Sequence, residues 1–303
     1  MTQKTLFTPN ISKVASAIHP FHVMKILAEA KALEADGQEI IHMEIGEPDF
    51  SSLQCIHQAA NQAVEKGLTH YTPTMGLPAL RKKLAHFYQS FYQAEVSPNQ
   101  VMITPGSSTA LQLILTAILN TGDKVILADP AYPCNRQFVN LLYAELLTIP
   151  VSHETQYQLN LEQLKKNWQD GIKVVMVASP SNPTGTVIEQ TELVAMAEFL
   201  AEKNVYLIVD EIYQGLVYDR PAESILANQN LPDNVLVINS FSKFFGMTGW
   251  RLGWTVAPKH TIPILDRLGQ NLFLAAPTLS QYAAFRVLVD SASCQVEKGR
   301  PHI

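Results

Sequence analysis

Apolar positions along this chain follow two alternating patterns. Short runs rich in β-branched residues occur at 101–104 (VMIT), 124–128 (KVILA), 173–178 (KVVMVA), 205–210 (VYLIVD), 235–240 (VLVINS) and 252–257 (LGWTVA). Their length and composition predict buried strands. Between several of them, at 78–92, 107–120, 160–168 and 190–203, the apolar residues recur at helical spacing. An earlier stretch, 20–36, reads as an amphipathic helix with Val23, Ile26, Leu27 and Ala30 on one face. Strands alternating with helices predict an α/β fold, a mostly parallel sheet with helices on both faces. Ligands of such sheets gather at the carboxyl ends of the strands. Here those ends lie after 104, at 178–185, at 210–213 and at 240–243.

Composition narrows the classes. The 303 residues are 47% apolar and 16% charged, a globular balance with room for one large domain or two unequal ones. A net charge of -5 and a pI near 6.0 offer no basic stripe, so no nucleic-acid partner is expected. The longest mainly apolar run, 113–119, is too short to span a bilayer. The first residues, MTQKTLFTPNISK, lack the charged start and apolar stretch of a signal peptide. Cys55, Cys134 and Cys294 are odd in number and far apart. That argues against a disulfide framework or a zinc site and places the chain in the cytoplasm.

The chemistry-bearing residues fall at the strand ends. Lys243 stands in Ser240-Phe241-Ser242-Lys243, with Arg251 downstream and Phe244, Phe245 and Trp250 near by. Lysines are surface residues in most contexts. Among aromatic rings, desolvation would favour the neutral, nucleophilic amine that Schiff-base chemistry requires. Asp210 ends a buried strand. It either caps the next turn or serves as counter-ion to a pyridinium nitrogen. Tyr213 could then reach the ring's phenolic oxygen. Asn182 lies in SPSNPTG (179–185), a plain turn segment or a loop whose amide reaches the same oxygen. Gly106, Ser107, Ser108 and Thr109 open a helix, where free N–H groups and hydroxyls suit an anion. A simple N-cap is the alternative. Ser240, Ser242 and Arg251 would add phosphate ligands, Arg251 in a planar bidentate manner. Tyr132 could lie flat on a cofactor ring or pack in the core.

Taken together, these stretches identify a resemblance. IGEPDF (45–50), HYTPTMGLPALR (70–81), ITPGSSTAL (103–111), ADPAYP (128–133), SPSNPTG (179–185), VDEIY (209–213) and SFSKFFGMTGWRLGW (240–254) resemble class I/II pyridoxal phosphate (PLP)-dependent aminotransferases of fold type I, in the branch near bacterial aspartate aminotransferases. The resemblance implies an α/β/α fold and a ping-pong transfer of an amino group between an L-amino acid and a 2-oxo acid. It makes Lys243 the Schiff-base lysine and proton shuttle, and pairs Asp210 with the pyridine nitrogen. Asn182 and Tyr213 bind the ring oxygen, and Tyr132 stacks on the ring. Ser107, Ser108, Ser240 and Arg251 hold the phosphate. Gly46 matches a glycine whose backbone lies near the substrate carboxylate. Tyr71 matches a tyrosine that reaches the neighbouring subunit's phosphate, which implies a homodimer.

The resemblance runs from about 20 to 290. It implies an N-terminal segment at 1–44 (an arm and a helix of the small domain), a large PLP-binding domain at 45–275, and a linking helix with an atypical tail at 276–303. Family members carry a further small domain, on the order of a hundred residues, a common size for one compact unit. Neither Arg286 nor Arg300 sits in the family's context for the arginine that clamps the substrate carboxylate. A PLP-binding remnant or a non-catalytic aminotransferase-like module is therefore the alternative expectation. β-Elimination or decarboxylation on the same scaffold is a further enzymatic one. Ser240-x-x-Lys243 lacks the partner motifs of penicillin-binding serine enzymes, and no G-x-G-x-x-G follows a strand.

Overall fold

The computed structural model describes residues 10–47, 51–218 and 220–289. The end of IGEPDF, the first residues of the arm and the tail from 290 lie outside them. In chain order the elements are α1 (Lys13–Ala17), α2 (His22–Ala35), α3 (Gln54–Glu65), α4 (Pro78–Tyr92), β1 (Val101–Thr104), α5 (Ser107–Ile118), β2 (Lys124–Asp129), α6 (Pro133–Leu141), β3 (Glu145–Pro150), α7 (Leu161–Lys166), β4 (Ile172–Ala178), α8 (Gln190–Glu202), β5 (Tyr206–Asp210), β6 (Val235–Ser240), β7 (Gly253–Val256), α9 (Ile262–Leu272) and α10 (Thr278–Val289).

One seven-stranded sheet runs in the order β1-β7-β6-β5-β4-β2-β3. All pairings are parallel except those of β7, which is antiparallel to both β1 and β6. This is the mostly parallel α/β sheet expected. Alternate residues of each strand enter opposite layers, as the pleat requires. Val175, Val177, Leu207, Val209, Val235, Val237 and Trp254 pack with Leu84 and Tyr88 of α4 and Leu193 and Met196 of α8. Val174, Met176, Ile208, Leu236 and Ile238 pack with Ile114 and Leu115 of α5 and Leu265 of α9. Apolar residues therefore cover both faces of the sheet, which is why its strands read as continuous runs.

Three sequence expectations are corrected. The strand β3 was not anticipated; it lies at the sheet edge, pairs only with β2 and keeps several residues partly exposed. A half-buried strand ending in a proline carries a weak pattern. The helix predicted at 20–36 forms as α2, but of its expected inner face only Ala30 is buried, and Ile26 is 50% exposed. The cysteines are not all unpaired: Cys55 is disulfide-bonded, whereas Cys134 is free. No helix among the described residues is long and apolar enough to cross a membrane.

Candidate active site

The parallel ladder aligns the ends of β4 and β5, with Ala178 opposite Asp210. Gly253 pairs with Thr104 on one side and Ser240 on the other, so β1 and β6 finish at one level. The loops carrying the candidate residues therefore emerge along one edge of the sheet.

Asp210 shares its parity along the strand with Ile208, which places it on the α5 face. Its Oδ1 accepts the Ile212 N–H at 3.0 Å. The cap reading of this carboxylate thus accounts for Oδ1, and among the described residues Oδ2 accepts no hydrogen bond. Burial pushes its pKa up to about 6. Asn182 Nδ2 donates to the Tyr213 hydroxyl at 3.2 Å, which joins the 179–185 loop to the turn after β5. Burial raises the Tyr213 pKa, with the Asn182 bond opposing and the charge of Asp210 adding.

Lys243 is half-buried. Its Nζ donates to the Gly46 carbonyl at 2.5 Å and stands 6.0 Å from the Tyr213 ring centre. Burial lowers its pKa; Glu47 opposes this and Arg251 reinforces it. The surrounding rings do more than desolvate the amine. Phe241 packs on Trp254 at 4.8 Å and on Phe245 at 5.0 Å, all three buried. Phe244 packs on Phe91 at 5.4 Å and lies so close to Gly215 that a Cβ there would come within 2.2 Å of the ring. Residues 241 and 245 thus anchor the turn on either side of the lysine.

The N-terminus of α5 carries no side-chain cap; Gly106 occupies the cap position at φ 81°. Thr104 and Thr109 spend their hydroxyls on the Gly106 and Pro105 carbonyls, at 2.8 and 2.9 Å. The guanidinium of Arg251 closes over this turn: a Cβ at Gly106 would sit 2.8 Å from Nη2. Gly253 is equally constrained, since a Cβ there would sit 2.6 Å from the Ser107 nitrogen. Ser107 is partly exposed and Ser108 exposed at this terminus.

Other candidates sit differently. Ser240 and Ser242 are buried. The Ser240 hydroxyl bonds the Leu252 carbonyl at 3.0 Å and the Ser242 hydroxyl at 2.9 Å, so both are committed within the turn. Tyr132 is half-buried, and burial raises its pKa together with Cys134 and the charges of Tyr213 and Asp210. Tyr71 is 84% exposed. It lines a wide cleft of about 1270 Å³ with Glu47, Trp250 and Arg251. That cleft adjoins Arg251 but is not lined by Lys243, Asp210 or Asn182, so it flanks the cluster rather than containing it.

Three residues were missed from sequence. Phe21 meets the Tyr132 ring edge-on, 5.9 Å between centres at 78°, and Cys134, next to burial, raises the Tyr132 pKa. Glu211 is buried beside Asp210. Only Glu211 left a signal, a second acidic residue at the end of an apolar strand.

These groups fit PLP on their own geometry. An uncapped helix N-terminus beside a guanidinium suits a dianionic phosphate. A buried carboxyl group with one oxygen uncommitted suits a ring N–H⁺, and a lysine held toward neutrality suits an aldehyde.

The comparisons identify the family. The family model for aminotransferase class I and II matches residues 38–303, a span that includes the tail expected to be atypical. A (5-formylfuran-3-yl)methyl phosphate transaminase of Methanocaldococcus jannaschii is 38% identical over 91% of this chain and 71% of its own length. An aspartate aminotransferase of Sulfolobus acidocaldarius is 34% identical over 91% and 70%. The crystal structure of an aminotransferase from Mycobacterium tuberculosis superposes with a TM-score of 0.89 at 34% identity, covering 95% of this chain and 74% of the other. That of aspartate aminotransferase from Thermus thermophilus with maleate gives 0.88 at 29% identity. The fold and site define a fold type I PLP enzyme. The chain belongs to the class I and II aminotransferases. Its cofactor is PLP and its activity is transamination between an amino acid and a 2-oxo acid. The comparisons favour this activity over the non-catalytic alternative. At 303 residues, the chain is shorter than these relatives.

Proposed function

We propose that Lys243, Asp210 and Tyr213 carry the reaction, a ping-pong transamination, and that Ser107, Ser108, Arg251, Asn182 and Tyr132 hold the cofactor. PLP supplies an electron-withdrawing ring that makes the substrate's α-hydrogen acidic. Everything else falls to the chain. The α5 N-terminus and Arg251 bind the phosphate. Asp210 pairs its carboxylate with the ring N–H⁺, whose positive charge offsets the desolvation that raises its pKa. Asn182 and Tyr213 donate to the ring oxygen. Lys243 Nζ, biased toward its neutral form, takes the proton from the substrate α-carbon. Gly46, whose carbonyl already reaches Nζ, lines the substrate side with Asn182. Ser240 and Ser242 belong to the cofactor-binding turn, where they hold its shape.

The observation that carries this reading is the convergence of Lys243, Asp210 and the Asn182–Tyr213 pair at one sheet edge. Borohydride should trap PLP on the peptide containing Lys243 and fail to do so in Lys243→Ala. Trapping on that same peptide in the variant would refute the assignment.

The finer calls belong to the same proposal. The division at 45–275 encloses the whole sheet and α9. A homodimer is supported by the exposure of Tyr71 beside Arg251. A cytoplasmic location rests on the small, odd number of cysteines, and the disulfide at Cys55 weighs against it.

A further inference from the structure

Asp210 and Glu211 are consecutive, so the alternation of side chains sends them to opposite faces of the sheet. The ladder continues past β5, with the Glu211 N–H donating to the Ile238 carbonyl at 2.9 Å. Glu211 therefore shares the parity of Val209 and enters the layer that contains Tyr88 of α4. It is 1% exposed. Its Oε1 accepts two bonds, from the Ser224 hydroxyl at 3.1 Å and the Ile225 N–H at 2.9 Å. Its Oε2 has no hydrogen-bond partner among the described residues. An ionised carboxylate with a bare oxygen is costly to bury. A neutral acid whose carbonyl oxygen takes two donors is far less so. Burial raises its pKa to about 8, and the neighbouring charge of Asp210 adds to this.

The two bonds tie the strand end to the 224–225 segment. Gln214 makes the companion ties: its backbone N–H donates to the Glu211 carbonyl at 2.9 Å, its Nε2 to the Ser179 carbonyl at 3.0 Å, and its Oε1 accepts from Glu223 N–H at 3.1 Å. Asp210 and Tyr213 lie on the turn so fixed, and Ser179 opens the loop that carries Asn182. We propose that Glu211, as a neutral hydrogen-bonded acid, is a positioning residue that sets where Asp210 and Tyr213 stand toward the cofactor. The inference rests on the roles proposed for those two residues.

The test compares wild type with Glu211→Gln, Glu211→Ala and Ser224→Ala. PLP affinity is read by fluorescence titration, the absorption band of bound PLP by its pH midpoint, and folding by the melting temperature without PLP. Gln keeps the carbonyl acceptor, so Glu211→Gln should stay within about threefold of wild-type affinity, well under one tenfold step. Ala leaves both buried donors unsatisfied, so Glu211→Ala should bind PLP about tenfold or more weakly and shift the band's pH midpoint. Ser224→Ala, which removes one donor, should fall between them.

Wild-type affinity and spectrum in Glu211→Ala, even with a lowered melting temperature, would overturn the proposal. So would equal damage from Glu211→Gln, because an ionised carboxylate would then be required. If Glu211→Ala does not fold, Ser224→Ala decides: a shifted midpoint supports positioning, and an unchanged midpoint and affinity overturn it. Failure of the wild type itself to bind PLP would instead sink the reading of Asp210 and Tyr213.

Discussion

Lys243 and Asp210 are both biased toward neutrality before the cofactor arrives, and burial is the leading cause for each. For the lysine this readies a nucleophile. For the aspartate, a pKa of about 6 still leaves the carboxylate mainly ionised at neutral pH, and in the proposed role a ring N–H⁺ would hold it in that form. A charge-assisted hydrogen bond contributes roughly 1.5–3 kcal/mol. Asp210→Asn should therefore slow the single-turnover half-reaction roughly 10- to 100-fold, since each 1.36 kcal/mol is a factor of ten. PLP affinity should fall much less, because the phosphate contacts remain. Stopped-flow spectra and a PLP titration measure the two separately, and an unchanged half-reaction rate would give Asp210 a structural role only. Glu211 makes a second prediction, about stability. Its folded pKa of about 8 lies above the ordinary 4.5, so between those values the folded chain binds more protons than the unfolded one. Stability from this group is then complete below about pH 4.5 and declines as pH rises toward 8. The titrating neighbour whose charge bears on it is Asp210; Tyr88, whose own pKa burial raises, stays neutral across this window. The melting temperature of the PLP-free wild type should fall relative to that of Glu211→Gln across this window, and parallel curves would contradict the shift.

At the scale of elements, the site depends on how closely α5 is held against β7. Gly253 sits opposite both Thr104 and Ser240, and a Cβ there would come 2.6 Å from the Ser107 nitrogen and 2.7 Å from the Gly106 carbonyl carbon. Those are backbone atoms, so the helix terminus itself must move. Gly253→Ala should lower stability by about 1–3 kcal/mol, the usual cost of overpacking, and weaken PLP binding by displacing the phosphate end of α5. Thermal melts and PLP titration would show both; a normal melt with normal affinity would mean that the terminus yields freely. The strands that frame this contact were readable because both of their faces are buried: β1, β2, β4, β5, β6 and β7 all appear as apolar runs. The edge strand β3 was not, because most of its residues stay exposed or half-buried, whereas β1, at the other edge, is buried throughout. Helices α3, α6 and α9 were not anticipated either. For the site, Lys243, Asp210, Asn182 and Tyr213 were legible as residue types placed at strand ends. The edge-on contact of Phe21 with Tyr132 was not, because it joins distant segments and leaves no local pattern. The committed hydroxyl of Ser240 was hidden for the same reason, its acceptor being the Leu252 carbonyl on the far side of the Lys243 turn.

For the whole molecule, the exposed surface beside Arg251 is the feature that bears on assembly. Tyr71 is 84% exposed, and Ile41 and Met43, just before Gly46, are 85% and 87% exposed. Tyr71 lines the cleft with Arg251, and exposed apolar side chains of this size are the kind of surface the proposed dimer would cover. A two-fold dimer would bury the same patch on both copies, and each site would then combine Lys243 of one subunit with Tyr71 of the other. The arrangement makes a distinctive prediction. Lys243→Ala alone should be inactive, and Tyr71→Ala alone should bind PLP poorly. In a hybrid dimer of the two, one site carries both defects and the other carries neither. Random mixing makes half of the dimers hybrids, so about a quarter of all sites should regain wild-type behaviour. Co-refolding the two variants and assaying transamination against the separate parents measures this directly. If Tyr71 serves its own subunit, no combination yields an intact site and the mixture stays at the level of its parents. Sedimentation of the wild type gives the independent check, with an active, PLP-loaded monomer excluding shared sites altogether.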